Sequence, residues 1–222
     1  MDSFTGKLAV VTGGGSGIGR ELVRQLAAQG CSVATCDLNP DSVAVTAATT
    51  WAAAPPGTAV TGHVCDVSDE AQVLKFRDEL LEQHATDHVD LVFGNAGVAG
   101  GASFVKDSRQ EWERTFAINW WGVYYCARAF LPLLIASGDG VLIPRLKDAF
   151  RDQGFRPAQA ATIILDGVRS GAWRILVGAE AEMLDEQQRA NPEAPFNYDD
   201  YAEMYGPIIE RALAEGDASG TA

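Results

Sequence analysis

Basic residues are scarce in this sequence: Lys and Arg number 17 against 30 Asp and Glu, a formal charge of −13. No Lys/Arg cluster offsets that balance, so the mean field repels phosphate backbones and anionic lipid heads, and nucleic acid is not expected as a partner. An anion can be held only by local backbone geometry. Long apolar runs are also missing. None approaches the roughly 18 residues of a membrane span, and the first ten residues lack the basic start and apolar stretch of a signal peptide. No membrane association is expected, and the chain reads as cytoplasmic. Cysteine is sparse, with Cys31, Cys36, Cys65 and Cys126 showing no CxxC spacing. Three of the four lie in or beside apolar, strand-like runs, where a reduced thiol serves as a small hydrophobe rather than in metal or redox chemistry. What is present is 222 residues, 47% hydrophobic and 21% charged, the composition of a globular chain large enough for one domain with a real core.

Lys7 to Thr12 is a continuous apolar run with β-branched residues, followed at once by glycines and then by Leu22, Val23, Leu26 and Ala27 at helical spacing. Strand, tight turn and helix follow one another. The pattern recurs with strands predicted over Ser32 to Leu38, Ala59 to Val67, Val89 to Gly94 and Gly140 to Ile143. Helices are predicted over Asp41 to Ala53 and Asp69 to His84, and from Ser108 towards Leu134. Ser108 can cap that last helix, with Glu111 completing a capping box. After Pro144 a short helical stretch is expected over Arg145 to Phe150, a helix over Pro157 to Val168 and a final strand over Trp173 to Val177. Buried strands alternating with amphipathic helices predict an α/β fold, a doubly wound parallel sheet covered on both faces. The reading gives a single nucleotide-binding domain over 1–178 and an acidic extension over 179–222. In that extension Tyr198, Tyr201 and Tyr205 recur at helical spacing before a small-residue tail.

The most informative stretch is Thr12-Gly13-Gly14-Gly15-Ser16-Gly17-Ile18-Gly19, between the first strand and the first helix. Glycines let a ligand approach the backbone, and the helix start presents unpaired N–H groups and partial positive charge to a pyrophosphate. The spacing is TGxxxGxG, with no GxGxxG anywhere in it. That octet resembles the nucleotide turn of the short-chain dehydrogenase/reductase family. Four further matches follow in order. Asp37 closes the second strand, about where an acid is expected on the ribose 2′-hydroxyl. Asp66-Val67 closes the third, and Gly94-Asn95-Ala96-Gly97 closes the fourth, similar to the family's NNAG with Gly in the first place. Asn119 lies in the following helix, where the family keeps a catalytic Asn.

The resemblance implies a Rossmann-like fold and NAD as cofactor. Thr12, Gly13, Ser16, Gly17, Ile18 and Gly19 would hold the pyrophosphate, Asp37 the adenosine ribose with Leu38 beside it, and Asp66 and Val67 the adenine. Asn95, Ala96 and Gly97 would lie along the neighbouring cofactor backbone. The Asp37 carboxylate favours NAD over NADP, because a 2′-phosphate about 4 Å away adds a repulsion of order 4 kcal/mol at an effective dielectric of about 20. Implied substrates are a small-molecule alcohol or ketone, with a possible homo-oligomer; oligomeric state stays open, because family members often pair through the Asn119 helix together with the neighbouring helix that is missing here.

The family's hydride-transfer members use a Ser after the fifth strand and a YxxxK pair on the next helix, and neither is present. The lysines are Lys7, Lys75, Lys106 and Lys147, and the residues four positions earlier are Ser3, Ala71, Ala102 and Ile143. No Tyr is among them. The fifth strand runs from Ile143 into Pro144 and Arg145, with no Ser until Ser170. A catalytic segment holding one helix and one strand is therefore expected to be missing between about Leu142 and Pro157. The Trp173 strand is expected in the vacated slot, and Trp120, Trp121, Tyr124 and Tyr125 to be poorly covered. Three readings stay open: an enzyme using other groups, a silent NAD-binding or regulatory protein, and a non-functional truncation product. His84, Asp87 and His88 read as a helix end rather than a metal site.

Overall fold

Leu8–Thr12 forms β1, and all five residues are buried, as a β-branched apolar run is at the centre of a sheet covered on both faces. The computed structural model describes residues 1, 3–100, 106–144, 156–172 and 174–191. After β1 come α1 (Gly17–Ala28), β2 (Ser32–Asp37), α2 (Pro40–Ala53), β3 (Val60–Val64), α3 (Glu70–Gln83) and β4 (Leu91–Gly94). Then follow α4 (Arg109–Phe116), a π-turn (Ala117–Trp121), α5 (Gly122–Ser137), β5 (Val141–Pro144), α6 (Pro157–Arg169) and α7 (Ala179–Ala190).

The strands are all parallel, in the order β3-β2-β1-β4-β5. This is the expected doubly wound α/β sheet. Packing of α1 against α2 and α6, and of α3 against α5, covers its two faces. Val10, Ala34, Cys36 and Val92 from the strands meet Val73, Phe76 and Leu80 of α3 and Cys126, Phe130 and Leu134 of α5 in one core. The register pairs Thr12 with Cys36 and Val11 with Phe93, so β1, β2 and β4 end level with one another. The chain order reverses between β1 and β4, and the crevice at such a switch point is where open α/β sheets bind ligands.

Helix starts follow local chemistry. The Asn39 side chain accepts from the Ser42 N–H ahead of Pro40, Asp69 accepts from Ala71 and Gln72, and Ser108 accepts from Glu111. At the start of β1, buried Asp90 accepts from the Leu8 N–H at 2.8 Å and pairs with Lys7 Nζ at 2.9 Å. That hydrogen bond raises the Lys7 pKa.

Two sequence expectations need correction. β3 ends at Val64, and Cys65, Asp66 and Val67 lie beyond it. The reason is Asp66, whose Oδ1 accepts from the Ser68 N–H at 2.9 Å and the Ser68 hydroxyl at 2.6 Å, turning the chain into α3. The final strand does not form either. Trp173 lies outside the described residues, and Arg174, Ile175, Leu176 and Val177 are irregular. Gly171, at φ +67°, follows α6, and Ile175 sits so close to Gly167 of α6 that a methyl group there would lie 2.6 Å from Ile175 Cγ1. The apolar side chain that suggested a strand packs on a helix instead. Among the described residues β5 therefore has β4 as its one neighbour, and its slot is not filled by the Trp173 segment. The expected Arg145 to Phe150 helix and the stretch carrying Tyr198, Tyr201 and Tyr205 fall outside the described residues.

The chain divides into two compact units, Met1–Ala149 with Arg156–Ile175, and Phe150–Phe155 with Leu176–Ala222. The first holds the sheet. In the second, α7 is an acidic helix in which Arg189 Nε bonds Asp185 Oδ2 at 2.8 Å. Among the described residues no helix is long and apolar enough to cross a membrane.

The outer strand β3 is tied to α3 by two histidines. His63 Nδ1 lies 3.1 Å from Glu79 Oε2, its Nε2 lies 3.0 Å from Thr61 Oγ1, and the same hydroxyl lies 2.9 Å from His84 Nε2. Burial lowers the pKa of both rings, against the opposing Glu79 bond at His63. An unfolded histidine takes up its proton near pH 6.5, while the folded rings resist it, so this contribution is complete above about 6.5 and is lost as pH falls through the lowered folded values. Urea midpoints measured at pH 7.5 and 5.5 should drop on acidification, and His63→Gln should flatten that drop. Equal drops in the two proteins would assign it elsewhere.

Candidate functional site

Of the four helices that follow β1 to β4, one starts differently from the other three, and α6 likewise has no acid in its first turn. Side chains cap α2, α3 and α4, and each carries an acid in its first turn. α1 has neither: Ser16 precedes it in extended conformation without a side-chain capping bond, and its first turn contains no acid. The amides and partial positive charge at that end are left for an outside anion.

The turn leading to α1 is built on close backbone approach. Gly13 has φ +68°, and a methyl group there would stand 2.9 Å from the Ala96 Cα, so both conformation and space require glycine. A methyl on Gly17, by contrast, would meet nothing within 4 Å. The turn is thus packed on its inner side and open above the helix start.

β4 supplies the inner wall. Buried Asn95 donates from Nδ2 to the Thr12 carbonyl at 2.9 Å and the Gly13 carbonyl at 3.2 Å, and the Ala96 N–H donates to Thr12 Oγ1 at 3.0 Å. Thr12, Asn95 and Ala96 therefore close the switch point rather than project into it. Asn119, at the centre of the π-turn, holds the chain beyond Gly97. Its Oδ1 accepts from the Val98 N–H at 3.0 Å, and its Nδ2 donates to the Val98 carbonyl at 2.8 Å. Such turns recur at functional sites because they re-aim one side chain within a helix. Replacing Asn119 with Leu removes both bonds and leaves two backbone groups unpaired, a cost of about 1–3 kcal/mol. Its thermal midpoint should fall measurably below that of the parent chain.

On the other side, Asp37 at the end of β2 accepts from the Gly15 N–H at 2.9 Å and the Asn39 N–H at 3.0 Å. Leu38 beside it is 65% exposed. Asp66 and Val67 follow β3 on the same edge of the sheet, with Asp66 engaged by Ser68 and Val67 buried against Gly122 of α5. The structure thus brings Thr12, Gly13, Ser16, Gly17, Ile18, Gly19, Asp37, Asn95 and Ala96 together at the switch point. Asp66 and Val67 sit towards the β3 side and Asn119 beyond β4.

Sequence reasoning missed Arg20 and Thr46. Arg20 Nη2 donates to the Gly15 carbonyl and Nε to Thr46 Oγ1 at 3.0 Å. No spacing rule marks a residue just after the last glycine, and the contact is visible only once α2 lies beside α1.

The remaining candidates have structural roles. All four cysteines are buried and unpaired, and burial pushes the Cys31 and Cys126 thiols up to about 12, so they are inert hydrophobes. His84 caps α3 and His88 pairs with Asp87 at 2.9 Å. No group of three metal-ligating side chains occurs among the described residues. Trp120, Trp121 and Tyr124 are 66%, 48% and 46% exposed, the poor cover expected of them, with Tyr125 half-buried.

Comparison with known proteins gives the same picture. A family model described as short chain dehydrogenase matches residues 7–144. SadH of Mycobacterium tuberculosis is 37% identical over 143 residues, 64% of this chain and 50% of that protein. A short-chain dehydrogenase/reductase from Burkholderia phymatum, solved with NAD, superposes with a TM-score of 0.61 at 30% identity, covering 78% of this chain and 61% of that one. An alcohol dehydrogenase from Thermococcus sibiricus, solved with 5-hydroxy-NADP, gives 0.59 at 25% identity, covering 77% and 74%. The chain spans about half the length of the curated relatives it matches.

Proposed function

Because the chain belongs to the short-chain dehydrogenase family, an oxidoreductase family with a nicotinamide dinucleotide cofactor, we propose that its first unit is the NAD-binding half of an alcohol–ketone oxidoreductase. We further propose that the chain holds the nucleotide without efficient turnover. The observation that carries the first part is the Gly13–Gly19 turn, open above an uncapped helix and flanked by the Asp37 carboxylate.

Each residue has a definite task. The α1 amides and the backbone of Gly17 and Ile18 receive the pyrophosphate. Asp37 offers acceptor lone pairs to ribose hydroxyls and repels a 2′-phosphate. Asp66 and Val67 border the adenine, and Asn95 to Gly97 the neighbouring cofactor backbone. Asn119 positions the segment after β4. When bound, NAD supplies the hydride acceptor for alcohol oxidation.

The second part rests on what lies between β5 and α6. β5 ends at Pro144 and α6 begins at Pro157. The intervening twelve residues cannot hold a catalytic helix together with a returning parallel strand, since a helix-linked crossover alone takes at least about a dozen residues. With no YxxxK in the sequence, no group is identified to exchange a proton with the substrate oxygen.

The nucleotide reading is tested by ligand-induced stabilisation, because a ligand that binds only the folded state raises the melting temperature with concentration. NAD should raise it, and Asp37→Ala should weaken the apparent affinity about tenfold, the loss of one to two good hydrogen bonds. An unchanged affinity would remove Asp37 from the site. The exposed face of α4, the π-turn and α5, with Phe116, Trp120, Trp121, Tyr124, Leu131 and Ile135, also makes a homo-oligomer the favoured solution state. Sedimentation should then show mass rising with concentration, and a monomer at all concentrations would contradict it.

A further inference from the structure

Asp37 and Arg20 grip the same residue of the glycine turn from opposite ends. The Gly15 N–H donates to Asp37 Oδ2 at 2.9 Å, and the Gly15 carbonyl accepts from Arg20 Nη2. Arg20 is itself anchored, with Nε donating to the hydroxyl of buried Thr46 in α2 at 3.0 Å. Its backbone N–H is spent on the Ser16 carbonyl at 3.0 Å. The side chain therefore folds back over the turn that its own helix begins.

A trans peptide is planar, so its C=O and following N–H point in opposite directions. Drawing the Gly15 carbonyl towards Arg20 therefore aims the Ser16 N–H away from the guanidinium, and Ser16 opens α1 where the pyrophosphate is to sit. Three successive glycines, Gly13 to Gly15, would otherwise let these peptide planes rotate at little steric cost. We propose that Arg20 is a positioning residue for the nucleotide: through the Gly15 carbonyl it fixes the peptide plane that presents the Ser16 amide, and Thr46 holds Arg20 in place. The proposal rests on the nucleotide-binding reading above. Arg20 acts through the backbone, not as a charge on the ligand.

The test uses the full chain and three proteins: the parent, Arg20→Met and Thr46→Val. Amide hydrogen exchange without ligand comes first. In Arg20→Met, exchange at Gly15, whose N–H is bonded to Asp37, should quicken about tenfold, as a charge-assisted bond to the carbonyl is lost. Thr46→Val should show a smaller increase at the same amide. Calorimetric titration with ADP and with adenosine follows. Arg20→Met should weaken ADP about tenfold and leave adenosine unchanged, since adenosine has no phosphate to place. Thr46→Val, which alters no charge, should weaken ADP in part. Unchanged exchange in Arg20→Met overturns the proposal whether or not nucleotide binds. So does a loss of ADP affinity in Arg20→Met with none in Thr46→Val, because the guanidinium would then act directly as a charge. Failure of the parent chain to bind ADP or NAD, with the exchange result as expected, overturns the nucleotide reading and leaves the clamp as a feature of the turn.

Discussion

With saturating NAD and a panel of secondary alcohols, the chain should form NADH at least about 10⁴-fold more slowly than a family member with the complete Ser, Tyr and Lys set. A positioned acid–base group contributes typically 10² to 10⁴ in rate, and loss of the hydroxyl that orients the substrate oxygen adds to it. The described residues offer no evident substitute. Tyr124 Oη accepts from Arg128 Nη1 at 3.2 Å on the exposed face of α5, and Asn119 is bonded at both ends of its amide to Val98. Absorbance-monitored turnover checks this. A rate within tenfold of a complete relative would show that other groups carry the proton, and loss of that rate on replacing Tyr124 or Asn119 would identify them.

Gly19→Val should weaken NAD binding about 10- to 100-fold. A Cβ at Gly19 runs into the Gly13 carbonyl and the Asn95 amide, and backbone cannot yield as a flexible side-chain end can. Overpacking of this kind costs ~1–3 kcal/mol, which is up to about two decades in affinity when it falls on the binding surface. The strain lands where α1 meets β1 and β4, so the turn must open and the Asn95 bonds to Thr12 and Gly13 must lengthen. Gly17→Ala provides the contrast. Its added methyl meets no protein atom within 4 Å, so any loss there reflects the left-handed backbone, at φ +54°, and the ligand's own space. Titration of both variants with NAD measures this, and parent-like binding by Gly19→Val would place the nucleotide elsewhere.

Much of this was legible from residues alone because the signals were local. A β-branched run followed by glycines can only be a strand entering a tight turn, and Asp69 and Ser108 announce the helices they cap. Asp37 and Asn95 were marked by standing at strand ends in the right order. The failures were non-local. Residues 173–177 form a short apolar run, which periodicity alone cannot separate from a segment packed on a helix, and Ile175 found Gly167 of α6 instead of a strand partner. Asp66 ended β3 early because a neighbouring Ser68 offered two donors. Arg20 carried no signal, since its partners Gly15 and Thr46 meet only after α1 and α2 pack side by side.

The spacing between β5 and α6 connects fold to function. α6 packs against α1, so the face that supports the glycine turn is complete even though β5 leads to α6 within twelve residues. The proposed nucleotide site draws on β1, β2, β4, α1 and α2, all within the matched residues 7–144. The proposed reading thus separates binding from chemistry in this chain.

The most direct test is calorimetric titration of the full chain with NAD and with NADP, on protein shown by a cooperative thermal transition to be folded. The account predicts saturable binding of NAD at one site and binding of NADP weaker by at least about tenfold, from repulsion between Asp37 and the 2′-phosphate. No heat of binding from a folded chain would contradict it, and would mean that the glycine turn and its carboxylate are not enough to hold the nucleotide.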